Sequence, residues 1–124
     1  RYYRAPEVML TWRAYDAAVD IWSAGCIFAE LATGRVLFPG ADHVHHLHLI
    51  IRAVGMPPDA VVRRICSEAT RRYVQMLPKP PAEAPDRLER RLEGVDPEAV
   101  ELIRAMLRFD AAERPTAVQA LQHP

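Results

Sequence analysis

The stretch from Ala17 to Thr33 reads as a helix with almost no polar face, because Val19, Ile21, Trp22, Cys26, Ile27, Phe28 and Leu31 spread around its whole circumference. Gly34 supplies its left-handed stop. A helix that is apolar all round must be buried on every side, and 124 residues are too few to wrap it. The expectation is a piece of a larger domain. Both ends read as cuts: the chain opens at Arg1, its first methionine is Met9, and Gln122-His123-Pro124 stops where a helix would be closing.

The other strong signals are also helical, and no run alternates as a strand would. Asp42 is an N-cap for a second helix, in which Val44, Leu47, Ile50, Ile51 and Val54 share a face and Gly55 then Pro57-Pro58 end it. Two shorter helices are expected over Asp59–Ile65 and Ser67–Leu77. Four prolines between Pro78 and Pro85 mark an irregular connection, followed by a short basic-acidic piece, Asp86–Leu92. Asp96-Pro97 opens a third strong helix with the stripe Val100, Ile103, Met106 and Leu107, since proline's missing amide costs nothing in a first turn. Thr116 with Gln119 forms a capping box for the last helix. The fold class is therefore all-α.

Composition excludes more than it indicates. Formal net charge is zero, so nothing draws the chain generally to nucleic acid or to an anionic membrane. No apolar run approaches the roughly 18 residues of a membrane span, and no secretory signal opens the chain. Cys26 and Cys66 are forty positions apart; a disulfide is possible, but a reduced intracellular protein is the better reading.

Three short signatures carry chemistry. They are Arg1-Tyr2-Tyr3-Arg4-Ala5-Pro6-Glu7, Asp20-Ile21-Trp22-Ser23-Ala24-Gly25 on the apolar helix, and Arg114-Pro115-Thr116-Ala117. In this order and spacing they resemble the large lobe of a protein kinase: the end of the activation segment, the buried central helix, and the loop before the closing helix. Arg1 to Leu10 is similar to the mitogen-activated protein kinases. Thr11-Trp12, Leu37-Phe38-Pro39-Gly40, Asp42-His43, Glu68-Ala69 and Arg72-Tyr73 are similar to their stress-activated branch. Tyr2 stands where that family usually has tryptophan. The resemblance covers nearly all of 1–124, with a family insertion at about 56–95, and implies the helical C-lobe of an α+β parent domain.

The resemblance also implies roles. Glu7 and Arg114 would form an internal ion pair, although most Glu and Arg residues are surface charges. Asp20 would hold the catalytic loop through its backbone amides; without that loop it would be a buried acceptor lacking donors. Trp22 would be a structural anchor beside them. Arg1 and Arg4 would clamp an activating phosphotyrosine, since guanidinium forks match phosphate oxygens. Tyr3 and Ala5 would line the pocket for the proline that follows a target Ser or Thr. Met9, Leu10, His43, Val44, Leu47 and Tyr73 would form a docking groove for partner peptides, although core packing also explains Val44 and Leu47.

His43, His45, His46 and His48 scatter around their helix, lack a third ligand at zinc-like spacing, and read as surface or groove residues, with no metal. The chain has no Gly-x-Gly-x-x-Gly loop, no His-Arg-Asp and no Asp-Phe-Gly. ATP and Mg would belong to the parent, none being bound by this segment, and no catalytic residue lies within it. The parent would be a cytoplasmic and nuclear proline-directed serine/threonine kinase in a signalling cascade. Its partners would be protein substrates with Ser/Thr-Pro sites, an upstream dual-specificity kinase, phosphatases and docking peptides. The competing reading is a non-catalytic pseudokinase or truncated interaction module; an intact catalytic Asp and nucleotide-binding Lys upstream would separate the two.

Overall fold

The computed structural model describes residues 2–9, 17–40, 42–65, 68–77, 79 and 87–123, excluding the side chains of Met9 and His43. Among the described residues every regular element is helical: α1 Pro6–Met9, α2 Ala18–Thr33, α3 His43–Val54, α4 Asp59–Arg63, α5 Glu68–Met76, α6 Leu88–Arg91, α7 Pro97–Met106, a 3-10 turn Ala111–Glu113, and α8 Ala117–Leu121.

Local chemistry sets most of these boundaries. Gly34 closes α2 at φ 76°, its N–H donating to the Glu30 carbonyl, a conformation that costs glycine nothing. The Asp42 carboxylate accepts the His45 amide at 2.8 Å and opens α3. Asp96 does the same for Glu98 at 2.9 Å. The Thr116 hydroxyl accepts the Gln119 amide at 3.1 Å while the Gln119 side chain accepts the Thr116 amide at 2.9 Å.

Helices α2 and α7 form the central pair. Their close approach depends on Gly25, where an added Cβ would lie 3.0 Å from Met106 Cβ and from a Leu107 methyl. The core around them takes Trp22, Cys26 and Ala29 from α2, Leu37 and Phe38 from the following loop, Leu47, Ile50 and Ile51 from α3, and Ile103 and Leu107 from α7 and its end. α1 packs on α3, α6 on α3, and α4 on α5.

The expectation that α2 is buried on every side is corrected. Its Trp22, Gly25, Cys26 and Ala29 side is covered, but Ile27 is exposed and Leu31 is 81% exposed. These residues lie away from α7 and the loops that cover the other side, and the described residues put no equivalent layer over them. The apolar stripe expected of α3 is covered unevenly: Leu47, Ile50 and Ile51 are buried, whereas Val44 is 57% exposed. Val44 sits in the first turn of α3.

Candidate functional site

Arg114 leaves the 3-10 turn in extended conformation and carries its guanidinium back under α1 and α2. Its side chain is fully buried, and Glu7 opposite is nearly so. The pairing is bidentate: Nη1 donates to Glu7 Oε2 at 2.7 Å and Nη2 to Oε1 at 2.8 Å. Nη1 also donates to the Ala18 carbonyl at 2.9 Å, Nη2 to that of Phe109 at 3.2 Å, and Nε to that of Arg108 at 2.8 Å. A guanidinium has five N–H donors, and all five are used here. Such saturation lets a charge stay buried, because an unpaired one would carry a large desolvation cost.

Trp22 completes this anchor. It is fully buried, its ring centroid lies 5.0 Å from the Arg114 guanidinium carbon, and it stacks on Phe38 at 5.9 Å between centroids. The structure thus brings together Glu7, Trp22 and Arg114, residues drawn from three signatures more than a hundred positions apart at the extremes. Asp20 does not join them. It is exposed in the first turn of α2, so the expected buried acceptor is corrected; there an acid interacts favourably with the helix dipole.

The segment before α1 is tied down independently. Ser23 donates its hydroxyl to the Tyr3 carbonyl at 2.7 Å, and the Tyr3 hydroxyl donates to Glu30 Oε1 at 2.5 Å. The carboxylate bond, then partial burial, raises the Tyr3 phenol above its ordinary value of 10.0, keeping it a donor. Tyr3 retains accessible surface, whereas Ala5 is fully buried in the core cluster. Ala5 was expected to line a surface pocket; its side chain instead packs inward, as its place just before the Pro6 turn of α1 requires. Arg4 is exposed, and Arg1 lies outside the described residues.

The docking-groove residues divide. Val44 and Tyr73 are exposed on α3 and α5, and Leu47 is 5% exposed and belongs to the core. The backbones of Met9 and His43 end α1 and begin α3, while Leu10 lies outside the described residues. The histidines diverge as their spacing implies, His45 exposed and His48 half-buried, but His46 corrects the surface expectation. It is 3% exposed and packs on the Phe38 ring, because the Leu37-to-Gly40 loop folds against that side of α3. Among the described residues no group of three His, Cys, Asp or Glu side chains could hold a metal ion. Nor is any helix among them long and apolar enough to cross a membrane.

Cys26 is buried and free, and burial pushes its thiol up to about 12. Cys66 lies outside the described residues. Sequence reasoning missed Glu30. The signal was present, since Glu30 and Asp20 are the only charged residues in α2 and an acid in a helix's last turn opposes the dipole.

Residues 1–124 match the family model described as protein kinase domain. Over 124 residues the chain is 54% identical to "Mitogen-activated protein kinase HOG1" of Exserohilum turcicum, covering 37% of that protein. It is 55% identical to "Mitogen-activated protein kinase HOG1B" of Wallemia ichthyophaga, covering 33%, and 53% identical to the HOG1 of Torulaspora delbrueckii, covering 28%. In each case the whole of this chain is matched, and it spans about a third of the length of these curated relatives.

Proposed function

Because this chain belongs to the protein kinase domain family, we propose that it is the substrate-facing part of a stress-activated, proline-directed serine/threonine kinase. The carrying observation is the double anchoring of the segment Tyr3–Glu7: to Arg114 through Glu7, and to α2 through Ser23 and Glu30. A segment held at both ends is suited to receiving an extended peptide, because its geometry is fixed before the peptide arrives. Tyr3 offers the accessible ring for the proline that follows the target residue. Arg4, with Arg1, would take an activating phosphotyrosine through charge-assisted bonds. The exposed side chains of Val44 and Tyr73 support a docking role for partner peptides, for which Met9, Leu10, His43 and Leu47 are the further candidates named from the sequence.

The family uses ATP with magnesium, and the residues of this chain do not fit that role. The glycine-rich loop, catalytic aspartate and Asp-Phe-Gly motif do not occur in its sequence. This segment therefore positions protein substrate and does not carry phosphoryl transfer. The insertion at about 56–95 would be peripheral to that task, and action in cytoplasm and nucleus would follow from a role in stress signalling.

The test uses the whole protein, activated by an upstream dual-specificity kinase and supplied with Mg-ATP and paired peptides bearing Ser-Pro or Ser-Ala. Phosphate transfer favouring Ser-Pro at least tenfold is expected. Transfer without that preference would remove the proline-directed reading, and no transfer at all would favour a non-catalytic module.

A further inference from the structure

Away from the Glu7–Arg114 anchor, the end of α3, α6, α7 and the 3-10 turn border an open cleft of about 430 Å³. Part of its lining is apolar: Leu107 and Phe109 reach it from the core, and Val54 and Met56 are half-buried at it. The charged part is unbalanced, with Glu89, Glu101, Asp110 and Glu113 against Arg104 and Arg108. Arg104 meets Glu89 at 3.7 Å, and Arg64, outside the cleft, meets Asp110 at 3.5 Å. Arg108 is turned to the Glu113 backbone carbonyl at 2.9 Å. That leaves two exposed carboxylates in need of a cation. Glu101 has His123 at 3.5 Å, a partner charged only when protonated, and Glu113 has no ion pair among the described residues. The helix ends act in the same direction. α3 finishes at Val54 and α7 at Met106, so both bring the negative ends of their dipoles to this cleft. Each last turn carries one arginine, Arg52 and Arg104, and the latter already serves Glu89.

We propose that this cleft receives an arginine side chain from a basic segment of a partner protein, its stem along Val54, Met56 and Phe109 and its guanidinium at Glu101 and Glu113. A lining part apolar and part anionic matches an amphipathic cation, whose methylenes bury apolar surface while the head keeps its charge partners. An aliphatic side chain would desolvate the carboxylates without replacing their water, and an acid would meet like charge. Lysine offers one compact charge where the guanidinium fork spans two acceptors. The proposal involves no catalytic step and stands apart from the kinase reading.

The experiment titrates the whole protein, isotope-labelled at its methionine methyl groups, with the peptide acetyl-Ala-Ala-Arg-Ala-Ala-amide and follows the signals by NMR. Met56 should shift saturably, whereas Met76, exposed on α5 and outside the cleft, should stay in place. Glu101→Gln and Glu113→Gln should each weaken binding about threefold, as expected for exposed charge pairs, and the double variant about tenfold. Both acids are exposed, so these exchanges leave the core untouched. A peptide with citrulline in place of arginine, which keeps the stem and loses the charge, should bind at least tenfold more weakly. Glu68→Gln, an exposed acid on α5, should change nothing. A stationary Met56 methyl, equal movement of Met56 and Met76, an unchanged affinity in the double variant, or equal binding of the citrulline peptide would each overturn the proposal.

Discussion

Two ion pairs of the same chemical kind occupy opposite ends of the environmental range. Glu7 and Arg114 meet at 2.7 Å with both side chains almost wholly buried and every guanidinium donor engaged. Glu68 and Arg72 meet at 2.8 Å on α5, one turn apart, with side chains 72% and 73% exposed. Distance is therefore no guide to energetic weight. In the exposed pair water solvates either charge as soon as its partner leaves, whereas in the buried pair a lone charge has nowhere to go. The first joins elements distant in sequence, and the second joins residues that helix formation already places together.

The largest effect should come from splitting the buried pair. Glu7→Ala or Arg114→Ala should each destabilise the protein by about 3–5 kcal/mol, read from denaturant melts. A loss below about 1 kcal/mol in both would show that water reaches the site and erases the contrast.

Cys26 sharpens the comparison from beneath the same anchor. Its folded thiol is raised from 9.0 to about 12, so above pH 9 the unfolded chain releases a proton that the folded one retains. Stability gained from this group is complete below pH 9 and declines as pH rises towards 12, by at most about 1.4 kcal/mol per pH unit. Comparing the alkaline stability slopes of wild type and Cys26→Ala isolates that contribution. Equal slopes would mean the thiol is solvated.

A cap should lie in between. Thr116→Ala removes the acceptor for the Gln119 amide and should cost about 1 kcal/mol. Because α8 has only five residues, much of that cost should appear as faster amide exchange confined to α8. The smallest effect belongs to Arg72→Ala, expected near 0.3–0.5 kcal/mol and vanishing at high salt. A loss as large as that of the buried pair would break the comparison.

How much was legible depends on how local the cause is. Asp42, Asp96, Thr116 and Gly34 act within four residues of themselves, and their helix boundaries follow directly from the sequence. Val44 and Leu47 have the same character and the same helical stripe, yet one is exposed and the other buried. Periodicity gives the direction a side chain faces but not where its neighbours end. His46 shows the reverse case, a polar residue buried because the Leu37-to-Gly40 loop closes over it. For the candidate site, Glu7, Trp22 and Arg114 were singled out by the signatures they stand in, whereas Glu30 stands in none of them: its odd place in the last turn of α2 was legible, but its partner Tyr3 was not.

By itself the sequence determined the helical class, the cap residues and the apolar character of α2, since these depend on nearest neighbours along the chain and on residue chemistry. The tertiary structure alone decided which side of α2 is covered, that Asp20 stays at the surface and Ala5 does not, and that Tyr3 answers to Glu30. Those outcomes turn on contacts between positions far apart in the chain, where the distance between two groups is fixed only once the helices have packed.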